Sequence, residues 1–192
     1  MSNNHSILWG KAVLRAFLVL GVFCALGFAA TAGAVAQEIV AIAAGGPAES
    51  NSGGGDYSFV ADEDFVGGGA GSSTTHTINL TQPGVNAAPM GVYQHQHNGA
   101  VTYTIPGLTT GSSYTVLLHF SELYWTAAAK RAFNVAINGT TVLTNLDIYA
   151  TVGEYAALVE TFTATANSSG QIVIAFSAGT HDQPAVAGIE IR

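Results

Sequence analysis

Cysteine is nearly absent: the 192-residue chain has one, Cys24, and it lies in an apolar N-terminal stretch. The rest of the chain therefore has no disulfide and no thiol chemistry. Its stability has to come from a packed core, which a segment of about 150 residues is long enough to supply. Positive charge is almost as scarce, with five Lys and Arg in all. After residue 36 only Lys130, Arg131 and Arg192 remain against twelve carboxylates, a net charge near −9. That excludes the basic footprint of a nucleic-acid or anionic-membrane binder. Helical periodicity is the third absence. No stretch after Gln37 repeats apolar residues at the three- and four-residue spacing of an amphipathic helix. The glycines of residues 49–55 do not form a phosphate loop, because no Lys-Ser/Thr pair and no helix start follow them.

At the N-terminus, Lys11 and Arg15 precede an apolar run over residues 16–28, and Ala34-Val35-Ala36 fits a small-x-small cleavage site. This is the layout of a secretory signal peptide, so residues 1–36 are expected to form a cleavable signal helix, leaving 37–192 as an exported domain, secreted or periplasmic. An uncleaved membrane anchor is the alternative, since residues 16–36 are just long enough to span a bilayer. A lipid-anchored Cys24 is disfavoured by the bulky Phe23 before it.

The exported part reads as short alternating strands separated by turn residues, the all-β pattern. Strands are expected near 38–43, 76–80, 101–105, 114–121, 133–137, 141–143, 158–166, 171–176 and 185–191. Asn138-Gly139 is a strong hairpin signal, because both central positions of a type I′ turn need positive φ. Residues 146–153 read as an irregular link and 179–184 as a polar loop. Eight to ten strands with loops of unequal length predict a β-sandwich of two antiparallel sheets, most simply jelly-roll-like.

The central stretch is residues 117–125. Tyr114, Val116, Leu118 and Phe120 share one face of a strand. The opposite face is partly apolar too, which places the strand inside its sheet. The strand then runs out into Tyr124-Trp125. Adjacent aromatics at a strand end serve either as a core lid or as a stacking platform, since each ring has a flat apolar face and a polar handle.

The histidines invite a metal reading. On a strand, Tyr93, His95 and His97 would share a face, and His76, His119 or His181 could supply a further ligand. No spacing enforces it, so polar contacts at a site rim are preferred, and no metal or other cofactor is predicted. Asp56, Asp62, Glu63 and Asp64 lack the spacing of an EF-hand calcium loop and are read as a solvated acidic loop rather than a calcium site.

Six segments in order resemble malectin-like carbohydrate-binding domains: residues 42–47 (Ile-Ala-Ala-Gly-Gly-Pro), 92–94 (Val-Tyr-Gln), 104–108 (Thr-Ile-Pro-Gly-Leu), 118–125, 133–148 and 182–191. The resemblance covers essentially all of residues 37–192. It implies a jelly-roll-like sandwich that binds neutral, glucose-containing glycans without catalysis. It also implies a site at one end of the sandwich, with Tyr124 and Trp125 matching the family's aromatic pair and Asp182 its loop carboxylate. Where the family has further aromatics, this chain shows His97 and Asn98 after the Tyr-Gln segment and His76 before it. With His181 beside Asp182, these complete the candidate binding residues. Two other functions stay open: a glycoside hydrolase using Glu122 and Asp182, the one carboxylate pair that could flank a glycosidic bond, and a structural or adhesive surface protein with no sugar site.

Overall fold

The computed structural model describes residues 40–50 and 58–192. The expected signal segment, its cleavage site, Cys24 and Asp56 lie outside the described residues. In chain order the strands begin with β1 (Val40–Ala43), β2 (Glu49–Ser50), β3 (Ser58–Ala61), β4 (Phe65–Gly67) and β5 (Ser72–Ser73). A short helix, α1 (Met90–Tyr93), precedes β6 (His95–Asn98), β7 (Val101–Ile105), β8 (Ser113–Ser121), β9 (Ala132–Ile137) and β10 (Thr140–Leu146). A second short helix, α2 (Ile148–Val152), leads to β11 (Ala157–Thr165), β12 (Ile172–His181), β13 (Ala185–Val186) and β14 (Gly188–Ile191). The fold is all-β, as the turn-punctuated alternation predicts.

Two sheets carry it. One has six strands in the order β11-β8-β14-β1-β3-β2, the other five in the order β10-β9-β12-β7-β4. The pairings are antiparallel except β1 with β3. The main core takes Ile42, Val116, Leu118, Phe120, Leu158, Ile189 and Ile191 from the first sheet, and Tyr103, Ile105, Phe133, Val135, Ile174 and Phe176 from the second. The two sheets thus face each other across one apolar layer. As expected, β8 lies inside its sheet, paired with β11 on one side and β14 on the other. A third, small ribbon of order β13-β6-β5 sits beside this pair and shapes the loop end.

Asn138 and Gly139 have φ of 49° and 79°, and the chain turns there from β9 into β10. Four expectations change. Residues 76–80 form no strand beyond one isolated bridge, Asn79 with Ala156. The Thr74 hydroxyl takes the His76 N–H, and the Asn79 side chain takes the Thr81 N–H, so local side chains capture the donors a ladder needs. Tyr93 does not share a strand face with His95 and His97. Pro89 precedes α1 directly, and the Tyr93 ring turns inward to meet His119 Nδ1 at 2.8 Å. Residues 148–152 are helical: Asp147 caps the first turn by accepting the Ala150 N–H at 2.9 Å, and Gly153 ends it at φ 85°. Finally, β12 runs on to His181, through half of the predicted polar loop.

In the acidic loop Glu63 and Asp64 are exposed as expected, and Asp62 differs. Asp62 is not a solvated carboxylate: it accepts from the Tyr103 hydroxyl at 2.8 Å and from His97 Nδ1 at 2.7 Å. Burial, with the Asp62 charge beside it, pushes the Tyr103 hydroxyl far up, so it stays protonated and donates.

Candidate functional site

The site grows from the end of β8. Glu122 follows the strand directly and is fully buried. Its Oε1 accepts the backbone N–H groups of Tyr124 at 3.0 Å and Trp125 at 3.1 Å, which folds the chain into a tight turn and projects both rings. Its Oε2 accepts from Arg131 Nε at 2.7 Å. Arg131 Nη1 reaches across to donate to the Gln183 carbonyl at 2.6 Å and lies 3.7 Å from Asp182 Oδ2. One buried ion pair thus ties the aromatic loop to the loop before the last strands. Charged, forked contacts of this kind fix geometry well.

Asp182 sits in the left-handed region at φ 52°, a conformation Asp tolerates better than most residues. From there its Oδ2 accepts the Trp125 indole N–H at 2.6 Å. Tyr124 stands edge-to-face against Trp125, ring centres 4.8 Å apart at 85°, and is 68% exposed. Tyr124, Asp182, Arg131, Asn98 and Ser72 line a depression of about 370 Å³, with Gly69 and Ala70 contributing backbone-thin walls. Asn98 donates to Ser72 Oγ at 2.6 Å and to the Ala70 carbonyl at 3.2 Å. Its Oδ1 is buried and has no hydrogen-bond partner among the described residues. A buried acceptor left open costs free energy unless something completes it.

Of the predicted residues, the structure gathers Tyr124, Asp182 and Asn98 around this depression, with Trp125 braced behind Asp182. Three others are elsewhere. His97 is 5% exposed, and its ring is held by Asp62, by the Tyr103 hydroxyl at 3.1 Å and by the edge of Phe65. It is a supporting core residue rather than a rim contact, because its β6 side faces away from Asn98. His76 stacks on Tyr155 and lines a different hollow. His181 is exposed, pairs with the neighbouring Thr180 hydroxyl and does not line the depression. Sequence reasoning missed Arg131 as the brace. The available signal was its rarity: a cation that is one of three in an acid-rich segment is well suited to a buried carboxylate.

Residues 38–189 match the family model described as Malectin domain. The chain belongs to the malectin domain family. It is 27% identical over 187 residues to Malectin-A of Xenopus laevis, covering 90% of this chain and 64% of that protein. It is 36% identical over 120 residues to Receptor-like protein 4 of Arabidopsis thaliana, covering 57% of this chain but only 19% of that one. The chain thus spans less than two thirds of either relative's length. Among solved structures, the ANXUR1 extracellular domain of Arabidopsis thaliana superposes with a TM-score of 0.73 at 20% identity, over 81% of this chain and 48% of that one, a likeness of fold.

Proposed function

We propose that this malectin domain is an exported, non-catalytic module that binds neutral gluco-oligosaccharides at the Tyr124–Asp182 depression. The observation that carries the reading is the convergence there of an exposed phenol ring, a carboxylate and the Asn98 amide side chain. A pyranose presents an apolar C–H face and a belt of hydroxyls. The face stacks on Tyr124, and the area removed from water at about 25 cal/mol per Å² supplies a few kcal/mol. Hydroxyls donate to Asp182, whose charge makes it a strong acceptor. Trp125 holds Asp182 in place through its N–H, and Arg131 neutralises part of the acid's charge without entering the depression as a free cation. A shallow site with one stacked ring corresponds to affinity of roughly µM to mM.

The hydrolase alternative loses its support. Glu122 is fully buried and its two oxygens already receive Arg131 and two backbone N–H groups, so it has no path to a glycosidic oxygen. The reading includes a jelly-roll-like sandwich for residues 37–192 and removal of residues 1–36 on export, which N-terminal sequencing of the exported protein tests. Calorimetric titration with gluco-oligosaccharides tests the site. Asp182→Ala is expected to weaken binding by about 10- to 100-fold, the loss of a charge-assisted hydrogen bond. Tyr124→Ala is expected to weaken it by about tenfold. Unchanged binding in both variants would refute the site.

A further inference from the structure

The small ribbon has two faces, and only one of them lines the depression described above. Ser72 pairs with Gln96 and Ser73 with His95 across β5 and β6. Side chains alternate along a strand, so Ser72 and Asn98 point one way and Ser73 and His95 the other. On that other side lies a hollow of about 610 Å³ lined by Ser73, Thr74, Thr75, His76, Gln94 and His95. Its lining shares no residue with the first depression.

We infer that this hollow is a second saccharide-binding site, with the His76 ring as its platform. Three features carry it. The first is a built platform. Tyr155 stacks beneath His76, ring centres 4.3 Å apart and 19° from parallel. To do so, Tyr155 adopts φ of 52°, a left-handed conformation costly for a bulky aromatic. Its N–H is held by the Glu122 carbonyl at 3.0 Å and its carbonyl by the Asn79 N–H at 2.8 Å. The strain is thus maintained on both sides of the residue, and His76 remains exposed on top.

The second feature is the hydrogen-bonding inventory. His95 Nδ1 lies 3.0 Å from the Gly91 carbonyl, which can only accept, so in the neutral ring Nε2 is an acceptor. Gln94 spends its amide N–H on the His76 carbonyl at 2.9 Å, leaving Oε1 as an acceptor. The Thr74 hydroxyl accepts the His76 N–H at 3.1 Å and keeps its own proton to donate. The third feature is neutrality. No Lys, Arg, Asp or Glu is among the six lining residues. A flat ring, neutral acceptors and hydroxyl donors without formal charge match a neutral polyol and not an anion or a basic peptide. The choice of ligand class rests on the sugar-binding reading above; the geometry of the hollow does not.

Two sites on opposite faces of one ribbon would let a long glycan or two chains be held at once, and linked engagement raises overall avidity. Glu122 connects them: its carboxylate sets the turn of Tyr124, and its carbonyl sets the strained Tyr155.

The test is an amide chemical-shift titration of the full chain, labelled with ¹⁵N and produced through a secretory host, with maltose as the probe. Saturable shifts at Thr74, Thr75 and Gln94 are expected to persist in Tyr124→Ala and vanish in His76→Ala. Shifts at Asn98 and Asp182 are expected to follow the reverse pattern. Because His76 is exposed, its loss leaves the core intact. Movement at Asn98 and Asp182 with none at Thr74, Thr75 and Gln94 would overturn the second site and leave the first. The opposite result would support the second site and remove the first. No movement at either place overturns this inference as well.

Discussion

The two faces of β8 are both buried, yet they are buried by different means. Toward the main core, Val116, Leu118 and Phe120 meet aliphatic and aromatic residues of the facing sheet and need no specific partner. On the other face, His119, Ser121 and, just beyond the strand, Glu122 are polar and fully inaccessible. His119 and Ser121 meet residues distant in the chain, while Glu122 holds Arg131 and the backbone of the turn that follows it. His119 Nδ1 meets the Tyr93 hydroxyl at 2.8 Å and its Nε2 lies 2.8 Å from Glu190 Oε1. Ser121 donates to the Tyr93 carbonyl at 2.7 Å, while the Ser121 carbonyl accepts from the Gln96 amide. Glu190 in turn holds Arg192 through Oε2, at 2.8 Å to Nε. An apolar face tolerates any neighbour of suitable volume, whereas a buried polar face demands particular partners. The polar face is the one that runs on into the Tyr124–Trp125 loop, so the demand for partners there also positions the candidate site.

The comparison can be broken by substitutions on each face. The largest expected effect is at Glu122. Glu122→Ala leaves Arg131 buried without its carboxylate and frees two N–H groups, and should cost about 3–5 kcal/mol in denaturant unfolding. It should also abolish sugar binding, because the Tyr124 turn loses its anchor. Leu118→Ala on the apolar face should cost about 2–5 kcal/mol, the loss of transfer energy plus a cavity, while binding by the remaining folded fraction is retained. That split, stability without function on one face and both together on the other, is what would fail if the faces were equivalent.

Acidification sharpens the same contrast. Burial opposes the Glu190 charge, but the hydrogen bond and charge of His119 and the charge of Arg192 outweigh it and hold the carboxyl below its ordinary range. The anion is therefore the native form. The stability it contributes is complete above the ordinary glutamate range and is lost as pH falls through the depressed native value. Thermal midpoints measured between about pH 3 and pH 6 should show this fall in the wild-type chain and lack that component in Glu190→Gln. The smallest effect belongs to Tyr155. Tyr155→Gly removes the His76 support but relieves a left-handed backbone, so net stability should change by no more than about 1 kcal/mol. Maltose shifts at Thr74 and Gln94 should nonetheless disappear.

Much of the frame was readable from residue order. The alternation from Tyr114 to Phe120 and the Asn138-Gly139 turn depend on local periodicity and turn chemistry, which act at short range. The strands on either side of residues 167–170 were legible too, but a hairpin read there would be wrong: β11 pairs with β8 in one sheet and β12 with β7 and β9 in the other, because the chain crosses between sheets at that turn. The juxtaposition of Tyr124, Trp125 and Asp182 was reachable only through the family resemblance, since no local rule links residues 57 positions apart. The histidines show where reading fails. His76, His97 and His181 are alike as residue types, but one lies over a tyrosine, one is enclosed by Asp62 and Tyr103, and one is exposed at a strand end. Imidazole is compatible with all three settings, so its type carries no placement information. The helix at Met90–Tyr93 was missed because four residues are too few to display a period.

By itself, the order of residues determined that this chain is all-β, that residues 37–192 do without disulfides, and that β8 is buried on both faces. Those outcomes follow from hydrophobic burial and backbone sterics, which are set by near neighbours. Only the tertiary structure decided which polar groups meet: Glu122 with Arg131, Trp125 with Asp182, His76 with Tyr155 and His97 with Asp62. Hydrogen bonds and ring stacking are directional and short-ranged in space, so their partners are assigned by the fold that brings distant segments within about 3 to 5 Å, and not by any spacing along the chain.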